Sequence, residues 1–378
     1  VRILVALAIA GCHGTSPAHD AASTHGLAMS DVSILLPLPA DPSVPVLVSI
    51  AGDGSGEPLV ATGLFGALVL YPGDIAPKTG PQITYDQMQV VAVRIDLCDR
   101  ATVGPCDEST DGRLRLVLQP MYTLSGATAA QDIAVHVFYA IPNAELAGTI
   151  GDLRALAAIQ DAAPDSPLAV STSDASYIAS LRTLVLRYAR QSNLTRITVI
   201  GQVANAGAFE WKLRGFEKNI AYDPIQIAQI ADDVQSALIA GGDIVYNIDP
   251  LADAPPGFAL AVNGVSFDQA DRPTQIAALG AIAQVENPLL HDNVDTQCIA
   301  CHVAEFVGTY RAAALGVSLS AMNGYFATPR NTSVQTIADT DSRVVRAFGW
   351  IASQPVITRR VANATAEVLD EIDARFPP

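Results

Sequence analysis

The chain has 378 residues, 50% of them hydrophobic and 16% charged, with a formal net charge of -16 at pH 7. That composition supports buried cores rather than disorder, and at about 150 residues per domain the length suggests two or three domains. The acidic balance and the presence of only three lysines, Lys78, Lys212 and Lys218, exclude a nucleic-acid partner and a polybasic membrane surface, since both need clustered Lys and Arg.

The chain begins VRILVALAIAGC, with Arg2, an apolar run from Ile3 to Ala10, small Gly11 and then Cys12. This reads as the end of a secretory signal over residues 1–12. It resembles a bacterial lipoprotein signal, whose lipobox here is Ile9, Ala10 and Gly11 before the cysteine. The resemblance implies that Cys12 is lipidated, that the membrane is reached through an N-terminal lipid anchor, and that the protein resides in the periplasm or on the outer membrane, with the cell surface as the alternative. Residues 13–30 are polar and read as a flexible tether. The next apolar run, Leu59 to Tyr71, is too short for a bilayer and carries Gly63 and Gly66, so a buried strand or hairpin is expected there.

From residue 31 the runs VSILLPL, VPVLVSI, LVLY, MQVVAVRIDL, GRLRLVLQP and DIAVHVFYAIP, parted by Pro, Gly and Asp, predict an antiparallel sheet or sandwich. The alternation in RLRLVL predicts a strand with one wet face. His136, between Val135 and Val137, reads as a strand residue facing its neighbours, with a functional role as the lesser alternative. AGDGSGEP, residues 51–58, is glycine-rich without a following Lys-Ser or Lys-Thr, so it reads as a turn and not a phosphate loop. A three-to-four period in ELAGTIGDLRALAAIQ, DASYIASLRTLVLRYARQ and PIQIAQIADDVQSALIAG predicts helices, with strands RITVIGQV and AFEWKLRGF between the second and third. Residues 31–247 therefore form a mixed α+β region with room for a split near 143. The Pro-rich NIDPLADAPPGF then opens a linker region over 248–284.

In an oxidising compartment Cys98 and Cys106 of CDRATVGPC are expected to close a small disulfide loop. The remaining pair, Cys298 and Cys301, is followed directly by His302, giving C-x-x-C-H, the c-type haem attachment signature. Two thiols three residues apart lie along one side of a helical turn and reach the two vinyl edges of a porphyrin, leaving the adjacent histidine to ligate iron. A zinc site would need two further ligands, a thioredoxin-like pair would need an early strand-motif-helix context, and a disulfide across two residues would be strained.

Val303, Phe306, Val307, Tyr310 and Ala314 continue from the motif at helical spacing, and Ile357, Val361, Ala364, Val368 and Ile372 form the apolar stripe of a final helix. A helix opening at the haem motif, a loop region and a terminal amphipathic helix resemble a class I cytochrome c domain, spanning 285–378. The resemblance implies one covalent haem c held by Cys298 and Cys301, with His302 as proximal ligand and Met322 or His291 as sixth ligand, or an open site. Arg343, Arg346, Arg359 and Arg360 are candidates to pair with the haem propionates. VVAVRIDLC, RLRLVLQP, VHVFY, VDTQCIACH and RRVANATAEVLD together are similar to exported haem-motif lipoproteins of myxobacterial type.

The fold expected is thus multi-domain α+β: a mainly-β or mixed N-terminal region followed by a C-terminal all-α cytochrome c-like domain. The function expected is electron transfer in the cell envelope with a redox partner protein. A haem peroxidase or oxidase with an open iron site, and a surface binding or adhesion lipoprotein with a structural haem, are the alternatives.

Overall fold

A computed structural model describes residues 26–52, 54, 56–68, 85–98, 106, 109–160, 168, 170–205, 208–217, 235–240, 243–246, 255–291, 298–335 and 347–378. The β-branched and aromatic runs pair as one antiparallel sheet. Its strands are β1 (Ser33–Leu35), β2 (Met88–Asp96), β3 (Gly112–Leu124), β4 (Ala127–Ala130), β5 (Ile133–Ile141), β6 (Leu194–Asn205), β7 (Ala208–Glu217), β8 (Gln235–Ala240) and β9 (Asp243–Tyr246). The nine-stranded order is β1-β2-β3-β5-β6-β7-β8-β9, with β4 paired to β3 beside this path. Nearly every neighbour is the next strand in sequence, as a meander requires.

Alternation assigns the two faces. Leu114, Leu116 and Leu118 of β3 and Val135, Val137 and Tyr139 of β5 are buried on one face, while Arg113, Arg115, Val117, His136 and Phe138 point to the other. The second face is not wet: Arg113 is only 3% exposed. It lies beneath two late helices, α8 (Cys298–Leu315) and α9 (Arg359–Arg375).

The other helices are α1 (Met29–Val32), α2 (Thr62–Leu68), α3 (Asn143–Ile159), α4 (Ala175–Tyr188), α5 (Phe258–Val262), α6 (Gly264–Gln269) and α7 (Arg272–Val285). Asp174 caps α4 by accepting from the Ser176 and Tyr177 amides, and Asp271 caps α7 by accepting from Thr274; each cap satisfies donors that a first helical turn leaves unpaired. Helix α7 seats α8 closely, because a side chain at Gly308 would come within 2.8 Å of Ile282 Cγ2. Among the described residues no helix is long and apolar enough to cross a membrane.

The all-α C-terminal cytochrome c-like domain expected over 285–378 does not exist as such. Between α8 and α9 lies a hairpin, β10 (Phe348–Ile351) with β11 (Gln354–Ile357), turning at Ala352 with φ 51°. Backbone bonds of 2.9 and 3.1 Å join Ala352 to Ala130 on β4. The buried Gln119 of β3 donates to Trp350 O at 2.8 Å and accepts from Trp350 N at 2.7 Å. Helix α9 is fastened by Thr365, which takes Ser33 Oγ at 2.8 Å and Arg94 Nη1 at 3.3 Å. One apolar core runs continuously from Leu27 to Ile372, so the multi-domain expectation fails with it. The physical reason is that these helices pack on other parts of the chain, α8 on α7 and α9 on α1 and β1, and together roof the sheet over one cavity.

Four local expectations also change. VPVLVSI, residues 44–50, forms no strand and makes only isolated bridges at Ser49. Within Leu59 to Tyr71, residues Thr62–Leu68 form helix α2 rather than a strand or hairpin. Within PIQIAQIADDVQSALIAG, Gln235–Ala240 is strand β8, recruited by the free edge of β7; tertiary pairing outweighs helical periodicity there. The stretch read as a linker, 248–284, carries helices α5 and α6 and all but the last residue of α7.

Candidate functional site

Helix α8 opens at the motif. At about 100° of rotation per residue, Cys298, Cys301 and His302 fall within an arc of about 100° on one side of the helix. The opposite side is apolar, with Ala300, Val303, Ala304 and Val307 buried in the core, and this fixes the roll of the helix so that both thiols and the imidazole face one cavity between α8, α9 and the sheet. Counted out to its mouth, the cavity has an empty volume of about 1550 Å³. Helix α9 supplies a second wall through Arg360, Val361, Ala364, Glu367, Val368 and Glu371, while Ala362, Ala366, Leu369 and Ile372 anchor its other side in the core.

The floor is the second face of the sheet, and its strand register sets two adjacent rows. One row runs Arg94, Arg115, Phe138, Arg196, Glu217 across β2, β3, β5, β6 and β7. The next runs Ala92, Val117, His136, Thr198, Gly215. The His136 imidazole stands in this row, its ring centre 6.5 Å from that of Phe138 and 6.4 Å from that of His302, with the two imidazole planes inclined by 36°.

Positive charge is concentrated on this floor. Arg94, Arg113 and Arg196 are at most 5% exposed. Asp96 takes Arg94 Nε at 2.6 Å and Arg115 Nη2 at 3.1 Å, and Arg196 pairs with Glu217. Arg113 and Arg115 each lie 5.0 Å over the Phe138 ring, a cation–π arrangement that replaces some lost hydration. The compensation is incomplete. Burial, then the neighbouring Arg196 and Arg115, holds Arg113 well below its ordinary pKa, and burial brings Arg115 down to about 10 despite Asp96. Arg115 Nε and Arg196 Nε are buried without a hydrogen-bond partner among the described residues. Glu367 and Glu371 of α9 face the same cavity, so part of this charge is met from the wall, and the unmet Nε donors of Arg115 and Arg196 are what an added anion would take.

Cys298 and Cys301 are not joined as a disulfide. The walls of the cavity desolvate Cys298 and, with Cys301 beside it, push its thiol up to about 11. It is therefore a thiol at neutral pH, unlike the low-pKa thiolate of a redox-active pair. Among the described residues no group of three His, Cys, Asp or Glu side chains converges as a metal-ion site. Cys98 and Cys106 are bonded as expected, with Cα atoms 5.5 Å apart, and line the cavity.

The other expected site residues are elsewhere. Met322 packs with Leu279, Ala312 and Leu319 in a small separate cluster. His291 lies ahead of the motif, its carbonyl accepting from Arg360 Nη2 at 2.6 Å; neither it nor Met322 lines the cavity. Arg359 turns to Glu286, at 3.4 Å, and Tyr325, whereas Arg360 does line the cavity. Cys12, Arg343 and Arg346 lie outside the described residues. What sequence reasoning passed over is the arginine floor, Arg94, Arg113, Arg115 and Arg196; His136, read as a strand residue with a functional role as the lesser alternative, stands among them. Their signal was present in the alternation of RLRLVL and VHVFY, which puts Arg113, Arg115, His136 and Phe138 on a single face once the strands pair.

Comparison of the chain with protein-family models, curated proteins and solved structures gives no match.

Proposed function

We propose that this cavity holds one covalently attached haem and that the protein is an exported c-type haem protein that transfers electrons in the cell envelope. The observation that carries the reading is the convergence of both motif thiols and His302 on a cavity whose floor bears buried guanidinium groups with unmet donors. The donor set fits the group: two thiols for two vinyls, an imidazole for iron, and cations for two propionates.

Each residue has a definite task. Cys298 and Cys301 would each add an S–H across a vinyl group, sulfur to one carbon and hydrogen to the other, so that no oxidant or reductant is consumed. His302 would offer a ring nitrogen to the iron. The guanidinium groups of Arg94, Arg113, Arg115 and Arg196 would take up carboxylate charge, beside Asp96 and Glu217 on the floor and Glu367 and Glu371 on the α9 wall. Val117, Phe138, Phe348, Val361 and Val368 keep the cavity walls apolar, which limits water and so tunes potential. When bound, haem supplies a one-electron iron centre. Haem attachment outside the cytoplasm agrees with the Cys98–Cys106 disulfide, since such bonds persist in oxidising compartments.

The test is expression of the chain behind a periplasmic signal with the c-type maturation machinery, followed by a haem-stained denaturing gel. The wild type is expected to stain, and Cys298→Ala with Cys301→Ala to abolish staining. An unstained wild type, in cells that load a control cytochrome, would overturn the reading.

A further inference from the structure

We infer that His136 is the second axial ligand of the iron, so that the haem spans from helix α8 to the centre of the sheet and is six-coordinate with two histidines; this rests on the haem reading above. Two imidazoles ligating one metal from opposite sides, at the roughly 2.0–2.1 Å metal–nitrogen bond typical of first-row metals, place their ring centres roughly 6 Å apart. The rings of His302 and His136 lie 6.4 Å apart across the same cavity.

The two residues come from elements with no local connection, 166 positions apart in sequence, so helix periodicity and strand alternation each aim one ring independently at the same space. His136 sits on β5 between β3 and β6, in register with Val117 and Thr198. An interior strand is a rigid base for a ligand. The adjacent row holds Arg115 and Arg196 one strand to either side of Phe138, and both line the cavity, where they would pair with propionates. Met322 and His291 do not line the cavity, whereas His136 does.

The consequence is chemical. With both axial positions filled by protein, the iron has no vacant site for peroxide or dioxygen, and the centre carries electrons instead of activating a substrate.

The test compares wild type, His136→Ala, Met322→Ala and His291→Ala, each checked by mass for covalent haem, using ferric electron paramagnetic resonance and optical spectra. Wild type is expected to be low-spin without the near-infrared sulfur-to-iron band. His136→Ala is expected to keep its covalent haem but become high-spin, and added imidazole to restore the low-spin spectrum. The Met322 and His291 variants are expected to match wild type. A high-spin wild type, or a His136→Ala spectrum that stays low-spin without added imidazole, would overturn the inference while leaving the haem reading intact. Absence of covalent haem from the wild type would remove the haem reading itself. If His136→Ala fails to fold, His136→Met carries the test: the sulfur-to-iron band should appear, and an unchanged wild-type spectrum would contradict the assignment.

Discussion

Asp96→Asn tests the electrostatic account of the cavity floor. The Asp96 carboxylate takes Arg94 Nε at 2.6 Å and Arg115 Nη2 at 3.1 Å, with the side chains of Asp96 and Arg94 at most 10% exposed. A unit charge pair at about 4 Å and an effective dielectric constant of about 20 is worth about 4 kcal/mol. Two such pairs, less the desolvation of the carboxylate, leave a net cost of about 3–5 kcal/mol when one partner of a buried ionic group is removed. Arg113 and Arg196 add like charge nearby, so the variant belongs at the upper end of that range. The pH dependence follows with a definite sign. Burial alone would raise the Asp96 pKa, but Arg94 and Arg115 outweigh it and hold the carboxyl below its ordinary value. A depressed folded-state pKa contributes stability above the unfolded value of about 3.9, and that stability is lost as pH falls through the folded-state value. Urea unfolding followed by circular dichroism should therefore show a full gap between wild type and variant at pH 7 that narrows only below about pH 4. A gap under about 1 kcal/mol at pH 7, the size of a surface ion pair, would refute the reasoning.

Glu286 gives a trend of the opposite sign. Burial, then Glu305 beside it, pushes its carboxyl up to about 8 against Arg359 and Arg360. Stability is then lost as pH rises from about 4.5 to 8, by at most a few kcal/mol, and Glu286→Gln should flatten the melting temperature across that window; an unchanged slope would contradict this. Replacing Cys98 and Cys106 by serine opens a loop of sequence separation 8, which should cost about 2–3 kcal/mol in urea titration by loop entropy. No change on reduction of the wild type would argue against it. Gln119→Leu strips the buried link from β3 to Trp350 and Gln131 and should cost about 2–3 kcal/mol by leaving those backbone groups unsatisfied. Trp350 fluorescence should report a loosened hairpin, and a native emission spectrum would speak against the role given to Gln119.

Much of the fold was legible because periodicity is a local property. Strands β2, β3, β5, β6 and β7 and helices α3, α4, α8 and α9 stand where alternation or the three-to-four period put them. The C-x-x-C-H motif reads directly from spacing, and the cysteine pair at 98 and 106 is bonded. What was not legible depends on contacts far apart in sequence. RLRLVL shows alternation but not what covers the arginine face, and the answer lies near 300 and 360, in α8 and α9. Phe348–Ile351 and Gln354–Ile357 are short, and their pairing with β4 through Ala352 and Ala130 gives no local signal, so the C-terminal stretch read as all-helical. His136 looked like an ordinary strand residue because its counterpart, His302, is brought to it only by the packing of a helix on a sheet.

The most direct test of the central claim is the mass of the peptide spanning residues 297 to 306, isolated after proteolysis of the periplasmically matured chain. The account predicts that this peptide carries one haem through two thioethers, at Cys298 and Cys301, and that the Cys98–Cys106 disulfide is recovered separately. An unmodified peptide with both thiols titratable, from cells that attach haem to a control cytochrome, would contradict it.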